Sequence, residues 1–297
     1  MNAKPTASAP SAKSSVRLLN GLEECLNLYD HFVLDIWGVL HNGIIPFPHV
    51  IDCLARLKEN NKQILLLSNT PSTGNTIADD LRHMDITPAL YDHIVTAGDS
   101  ARADLEKRQG QKCWYAGQLH EESLVDGLDL KFLDTPTHAN FMINAIYGNN
   151  PDTDGKLSTQ MQEAADLGLD MICPNPDKVV QVGDTLKLCP GTFAEIYEND
   201  MNGTVFYHGK PHTPIYQTAW EYLGAPEKSR VLAIGDSLHT DIQGANGFDI
   251  DSVFNLVGIH LEEFQEQYGD TLSEDILNEY LKSSAHRPDM VLNGLQF

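Results

Sequence analysis

The chain alternates short apolar runs with longer segments in which apolar residues recur every three or four positions. Runs of the first kind predict buried strands at Phe32–Ile36, Gln63–Ser68 and Arg230–Ile234. Segments of the second kind predict helices, of which Val50–Glu59 is the clearest. Strands and helices in this alternating order predict an α/β fold with a largely parallel sheet covered by helices on both faces.

Shorter patterns supply the other elements of this first group. Ser72 or Thr73 can cap a helix that runs towards Leu81. We also expect helices at Asn20–Leu28, Thr213–Tyr222 and Thr240–Ala245, and strands at His93–Thr96 and Thr204–Tyr207. Together these elements predict one core domain built from residues 16–100 and 204–297.

A second α/β group occupies residues 101–203, between the two parts of the core. Its predicted elements are strands at Lys112–Ala116, Phe141–Tyr147 and Asp170–Cys173, a helix at Ser158–Leu167, and a hairpin from Val179 to Leu188 that turns at Gly183-Asp184. An insertion of this kind is typical of a cap that covers a catalytic core domain. Residues 1–15 are rich in Ala, Ser, Pro and Lys, and we expect them to form a disordered tail.

Composition narrows the class of protein. Five widely spaced cysteines without a Cys-x-x-Cys pair favour free thiols in a reducing cytoplasm over a disulfide framework or a zinc site. No apolar stretch is long enough to cross a bilayer, so we expect no membrane span. A formal net charge of -22 without a basic stripe argues against a nucleic-acid partner. Because an acidic surface repels phosphorylated metabolites, a phosphate site here would need locally concentrated positive charge.

Polar groups follow four of the predicted strands, and the carboxyl ends of parallel strands share one edge of a sheet. They are Asp35, Ser68-Asn69-Thr70, Gly209-Lys210-Pro211 and the segment from Gly235-Asp236 to Asp241. Each is ordinary when taken alone, since Asp, Ser and Asn are common turn formers and helix caps. Their conjunction predicts instead a site suited to phosphate and magnesium.

Five motifs occur in order along the chain: DIWGVLHNG at 35–43, LLLSNTP at 65–71, NPD at 175–177, GKPHTPIY at 209–216 and GDSLHTDI at 235–242. Together they resemble the motifs of the haloacid dehalogenase (HAD) superfamily, and specifically its NagD-like and 4-nitrophenylphosphatase-like branch with a large α/β cap. The resemblance covers nearly the whole chain after the tail. It implies a Rossmann-like parallel-sheet core with the cap inserted into it.

The resemblance also implies roles for the residues that handle phosphate. Asp35 would attack phosphorus and form an aspartyl-phosphate, which divides one difficult displacement into two easier steps. Lys210 would neutralise charge on the nucleophile and on the transferring group. Ser68 and Asn69 would hold the non-bridging phosphate oxygens.

A magnesium ion is the cofactor that the resemblance implies. Its protein ligands would be the carboxylates of Asp35 and Asp236 and the backbone carbonyl of Trp37, with Asp241 in support. The ion would allow the two anions, nucleophile and substrate, to approach each other.

Trp37 departs from the family pattern. Phosphatases of this superfamily usually have a second Asp two positions after the nucleophile, where it protonates the leaving group and later activates water. An indole can do neither, and general acid–base assistance is worth roughly 10²- to 10⁴-fold. We therefore expect slow turnover, except with leaving groups that need no protonation. His41 and His239 are candidate substitutes because imidazole titrates near neutrality, although structural or phosphate-binding roles are commoner for such histidines. Trp37 itself can pack under the cap or form an apolar wall over the site.

Two functions from different classes fit these residues. The first is a cytoplasmic magnesium-dependent phosphomonoesterase of a small phosphorylated metabolite, such as a sugar phosphate or nucleotide, with Asn175 and Asp177 of the cap facing the substrate. The alternative is a regulatory protein that holds a phosphorylated ligand or a long-lived aspartyl-phosphate. Cleavage of a bond other than P–O is a weaker interpretation, because Asp236 is retained and the cap offers no convincing buried lysine. The resemblance is also compatible with a cap-mediated homodimer.

Overall fold

The computed structural model describes residues 15–117, 122–149, 151–152, 155–182, 185–258 and 260–297. The predicted tail, except Ser15, and the predicted turn at 183–184 lie outside these residues. In the described part, two parallel sheets and the helices around them confirm the α/β fold class.

The strands and helices follow one another in the predicted alternating manner. The strands are β1 (Arg17–Leu19), β2 (His31–Asp35), β3 (Gln63–Ser68), β4 (His93–Thr96), β5 (Lys112–Gly117), β6 (Lys131–Leu133), β7 (Phe141–Ala145), β8 (Asp170–Cys173), β9 (Val179–Val182), β10 (Thr185–Leu188), β11 (Thr204–Tyr207), β12 (Val231–Gly235), β13 (Asp251–Asn255) and β14 (Met290–Leu292). The helices are α1 (Val50–Glu59), α2 (Gly74–Arg82), α3 (Ala97–Leu105), α4 (Glu122–Val125), α5 (Lys156–Asp166), α6 (Pro190–Asn199), α7 (Thr213–Tyr222), α8 (Gln243–Phe248), α9 (Leu261–Tyr268) and α10 (Glu274–Tyr280).

The first sheet contains seven strands in the order β1-β14-β13-β12-β2-β3-β4, and every neighbouring pair is parallel. Successive side chains of a strand point to opposite faces. Phe32 and Leu34 therefore pack with α1 on one face, whereas Val33 and Leu65 pack with α7 on the other. Burial on both faces explains why the strands are nearly continuous apolar runs.

The second sheet has the order β11-β8-β7-β5-β6 and is also parallel, and β9 and β10 form a separate antiparallel hairpin. Trp114 and Met142 pack with α5 and α6 on one face. Cys113 and Phe141 pack with α3 and α4 on the other. We call this second sheet, the hairpin and the helices packed on the sheet the cap.

Several local predictions differ from the structure. The predicted helix at Asn20–Leu28 is only a 3₁₀ turn, Leu22–Cys25. The strand Thr204–Tyr207 pairs with β8 in the cap sheet, although it was predicted in the core, because four residues of strand pattern do not specify a partner. The predicted core boundary at residue 204 therefore precedes the last cap strand. Strands β1, β13 and β14 of the core were not predicted.

Two expectations from composition can be compared with the described residues. No helix among them is both long and apolar enough to cross a membrane. All five cysteines are buried and have free thiols, as predicted.

Candidate active site

A buried lysine joins two carboxylates where β2 ends. The ammonium group of Lys210 donates hydrogen bonds to Oδ1 of Asp35 and to Oδ1 of Asp241, the latter at 2.8 Å, and lies 3.4 Å from the carbonyl oxygen of Leu67. Asp35 is the last residue of β2, and Leu67 is its partner on β3. The structure therefore brings these predicted residues together at the carboxyl edge of the first sheet.

The pKa values of these groups reflect burial and mutual charge. Burial alone would lower the pKa of Lys210, but the charges of Asp241 and Asp35 outweigh it and raise that pKa well above the ordinary value. Lys210 is therefore a cation in this site. Burial also raises the pKa of Asp35, against the attraction of Lys210, and the charges of Asp241 and Asp236 raise it further.

Asp236 completes a group of three buried carboxylates. Among the described residues, Asp35, Asp236 and Asp241 each offer an oxygen atom, and these atoms all lie within 4.8 Å of one another. A Cβ atom at Gly38 or Gly258 would lie only 2.0 or 1.9 Å from Oδ2 of Asp236, so both positions must lack a side chain. Gly38 also has a φ of +84°, which favours glycine.

This donor set fits a hard divalent cation. Three carboxylates face one ammonium group, which leaves the cluster with an excess of negative charge. Carboxylate oxygens are the ligands that Mg²⁺ and Ca²⁺ prefer. The residues present could therefore hold Mg²⁺, as the sequence predicts.

Asn69 connects the lysine loop with the cap. Its Oδ1 accepts a hydrogen bond from the backbone N–H of Lys210 at 2.6 Å, and its Nδ2 donates to the Lys210 carbonyl at 3.0 Å. The same Nδ2 donates to Oδ1 of Asp177 at 2.8 Å. Both side-chain amide hydrogens are thus directed at protein acceptors. Phosphate binding by Asn69 stays a prediction, and its backbone N–H is the group that would donate to the phosphate.

The cap loop that contains Asp177 lies against the core. Burial raises the pKa of Asp177, although the hydrogen bond from Asn69 and the charge of Lys210 partly oppose this rise. The side chain of Asn175 accepts a hydrogen bond from the Asp177 N–H at 2.9 Å, so it shapes the loop. A Cβ atom at Gly209 would lie 2.3 Å from Cδ of Pro176.

The predicted phosphate ligand Ser68 ends β3 and is half-buried. Its Oγ accepts a hydrogen bond from the N–H of Thr70 at 3.3 Å, within the turn that leads out of the strand. Ser68 therefore lies on the strand next to Asp35, at the same edge of the sheet.

Trp37 is half-exposed. Its side chain is 49% exposed, and its ring meets His41 edge-on with 6.4 Å between ring centres. His41 is buried, and burial lowers its pKa. Because Nδ1 of His41 accepts a hydrogen bond from the N–H of Gly43 at 2.9 Å, the neutral ring carries its proton on Nε2. His239 is exposed, and its charge contributes to lowering the pKa of His260 after the larger effect of burial.

Two supporting residues were not predicted from the sequence. The hydroxyl of Tyr216 donates to the carbonyl oxygen of Asp241 at 3.1 Å, and Nδ2 of Asn255 donates to the carbonyl oxygen of Gly38 at 3.1 Å. Asn255 is the last residue of β13, so a polar residue at a strand end was the available signal. That strand was itself missed.

A cavity of about 710 Å³ lies between the cap and the loop after β3. The core contributes Pro71 to its wall, three residues beyond Ser68. The other described lining residues belong to the cap and are Tyr115, Leu124, Asn144, Ala145, Tyr147, Gly148, Asn149, Pro174, Asn175, Lys187 and Pro190. The cavity is thus bounded on two sides by loops that also carry Asn69 and Asp177.

Known proteins are similar to this chain in sequence and in architecture. Models described as haloacid dehalogenase-like hydrolase match residues 32–131 and 109–249, and one described as HAD-hydrolase-like matches residues 207–296. The chain is 24% identical over 258 residues to an acid sugar phosphatase of Staphylococcus epidermidis, a match that covers 84% of this chain and 92% of that protein.

Solved structures agree with these matches. A haloacid dehalogenase-like hydrolase from Brucella suis superposes with a TM-score of 0.77 and 29% identity, over 94% of this chain and 100% of that one. The fold is also that of a p-nitrophenyl phosphatase from Archaeoglobus fulgidus, with a TM-score of 0.69 and 20% identity over 90% and 96% of the two chains. These matches confirm the resemblance carried by the five motifs and the expectation of a hydrolase. The chain belongs to the haloacid dehalogenase-like hydrolases.

Proposed function

We propose that the chain is a magnesium-dependent phosphomonoesterase that acts on a small phosphorylated metabolite through an aspartyl-phosphate. The observation that carries this proposal is the buried contact of Lys210 with both Asp35 and Asp241 at the carboxyl edge of the core sheet. A lysine held as a cation beside a carboxylate nucleophile suits the transfer of an anionic phosphoryl group. The similarity to an acid sugar phosphatase supports a phosphate ester as substrate.

Each step can be assigned to residues of this chain. Lys210 binds Oδ1 of Asp35, and we assign the attack on phosphorus to Oδ2. The new O–P bond forms as the ester O–P bond breaks, and the leaving oxygen departs with the electron pair. Ser68 and the backbone N–H of Asn69 would hold the phosphoryl oxygens. Water then cleaves the aspartyl-phosphate, releases inorganic phosphate and restores Asp35.

The metal site belongs to the same proposal. Asp35, Asp236 and the backbone carbonyl of Trp37 would hold Mg²⁺, with Asp241 in support. The ion would supply positive charge that lets nucleophile and phosphate approach each other. Position 37 offers no carboxylate to protonate the leaving oxygen, so turnover of alkyl phosphates is slow.

The test is release of inorganic phosphate from a panel of phosphate esters, with Mg²⁺ and with chelator in parallel. We expect release only with Mg²⁺, and we expect Asp35→Asn to abolish it. Asp52→Asn is the matched control, because Asp52 is an exposed aspartate of α1. Absence of turnover across the panel, or equal activity of the Asp35 variant, would refute the proposal.

A phospho-ligand-binding or regulatory protein is the second candidate. The half-exposed indole of Trp37, two positions after the nucleophile, favours it. Acid-quenched labelling distinguishes the two, because a regulatory protein would accumulate phosphate on Asp35 with little product. If the missing acid limits the rate, Trp37→Asp raises kcat on alkyl phosphates by roughly 10²-fold. No gain in kcat would show that another step is limiting.

We place this activity in the cytoplasm. Five buried free thiols support a reducing compartment. A cap-mediated homodimer is a further proposal that rests on the resemblance alone, and light scattering on the purified chain would test it.

A further inference from the structure

The cavity beside the cap differs in charge from the rest of the chain. Among its described lining residues Lys187 is charged and none is acidic, whereas the whole sequence has 42 acidic and 20 basic residues. In a protein that otherwise repels anions, an ammonium group with no acidic neighbour among the described lining residues attracts an anion. Lys187 therefore marks a place for an anionic part of a ligand.

Aromatic and apolar residues form much of the remaining wall. Tyr115, Tyr147 and three prolines contribute to it, and the side chain of Tyr147 is 42% exposed. The ammonium group of Lys187 lies 5.3 Å from the centre of the Tyr147 ring, so the cation and the aromatic face occupy adjacent positions. Aromatic rings stack favourably on such surfaces, and a cavity of this size is typical of small-molecule sites.

The cavity and the catalytic edge share two short loops. Pro71 lies three residues after Ser68, and Asn175 belongs to the loop whose Asp177 accepts a hydrogen bond from Asn69. A phosphate bound at Asp35 would thus project its ester group towards the cap, where the cavity lies.

The chemistry of the site selects the same kind of group. With Trp37 two positions after the nucleophile, no carboxylic acid at that position can protonate the leaving oxygen. A phenolate accepts the electron pair far more readily than an alkoxide, because the aromatic ring delocalises the charge. Aryl esters are therefore the phosphates that lose least from the missing acid.

We propose that the substrate is an aryl phosphate with a second anionic group, that the cavity binds its aromatic ring, and that Lys187 binds the anionic group. The proposal rests on the function proposed above. Asp35 forms the O–P bond, the aryl O–P bond breaks, and the phenolate leaves with the electron pair and takes a proton from water afterwards.

The kinetic test compares 4-carboxyphenyl phosphate with phenyl phosphate. We expect the wild-type chain to favour the carboxylate by roughly tenfold in kcat/KM, the low end for a charge-assisted hydrogen bond. Lys187→Gln should bring this ratio close to one through KM for the carboxylate. Lys178→Gln, which changes an exposed cap lysine paired with Glu195, should keep the ratio. Equal ratios in the wild type and the Lys187 variant would overturn the proposal.

A binding test separates this proposal from the proposed function. Calorimetry with the product 4-hydroxybenzoate requires no turnover and can use Asp35→Asn. Binding that is lost in Lys187→Gln supports the cavity assignment even if no ester is hydrolysed. Hydrolysis of other phosphate esters without binding of 4-hydroxybenzoate would overturn the cavity assignment and leave the phosphatase proposal standing.

Discussion

Replacing Asp236 by Asn should raise stability in the absence of Mg²⁺ and should remove most of the stabilisation that Mg²⁺ provides. The substitution keeps the shape of a side chain held between Gly38 and Gly258, where no larger group fits. It removes one of three buried negative charges that face the single cation of Lys210. Without a metal ion, that charge repels the other two carboxylates, whereas with a metal ion it would serve as a ligand.

The size of the effect follows from the geometry. At an effective dielectric constant of about 20, two like charges 4.8 Å apart repel by roughly 3.5 kcal/mol. Asp236 has two such repulsions, with Asp35 and Asp241, against one attraction to Lys210. After relaxation we expect the variant to gain about 1–3 kcal/mol in chelator. At 100 times its Kd, Mg²⁺ should stabilise the wild type by about 2.7 kcal/mol, and the variant should lose most of this gain.

Urea unfolding followed by circular dichroism measures both quantities. We expect Asp236→Asn to unfold at higher urea than the wild type in chelator and to respond little to Mg²⁺. Asp52→Asn is the control and should behave as the wild type in both conditions, because Asp52 is exposed on α1. A variant that is destabilised in chelator, or that keeps the full response to Mg²⁺, would refute this account of the cluster.

Three further predictions concern the groups around the cluster. Asn69→Ala removes two backbone hydrogen bonds and one to a carboxylate, so it should cost about 3–5 kcal/mol in urea unfolding, whereas the exposed Asn60→Ala should cost little. Burial raises the pKa of Asp177 in the folded state, so the stability that its protonation provides is lost as pH rises through that pKa. Urea unfolding between about pH 4 and about pH 7 should therefore show that Asp177→Asn becomes more stable relative to the wild type as pH rises. A constant difference in stability would contradict this. Gly38→Ala places a Cβ 2.0 Å from Asp236, and calorimetry should show that it loses Mg²⁺ binding.

The order of the predicted strands, together with the polar residues at their carboxyl ends, predicted most of the residues that meet at this edge of the sheet. Asp35 and Asp236 follow long apolar runs, and such runs are buried central strands whose carboxyl ends must coincide. Lys210 reaches the same edge even though the strand before it, β11, belongs to the cap sheet. The prediction of that strand in the core was wrong because partner choice is a long-range property that four residues do not encode.

Other features depend on contacts that no local pattern contains. Strands β1 and β14 have three residues each, too few for a periodicity. They depend on long-range pairing, since β1 pairs with β14 and β14 pairs also with β13. Trp37 belongs to a loop in which the N–H of Gly38 bonds to the carbonyl of His41, and its half-exposed side chain is not evident from the sequence. The link from Asn69 to Asp177 joins residues that are 108 positions apart.

The side-chain amide of Asn69 makes one hydrogen bond to the cap and two to the backbone of the catalytic lysine, and these two kinds of bond can break independently. An outward swing of the cap would break its hydrogen bond to Asp177, while both of its bonds to the Lys210 backbone lie within the core and persist. At this contact the swing costs one charge-assisted bond, about 1.5–3 kcal/mol, which thermal motion supplies readily. Opening at this contact would therefore leave the position of the lysine loop unchanged.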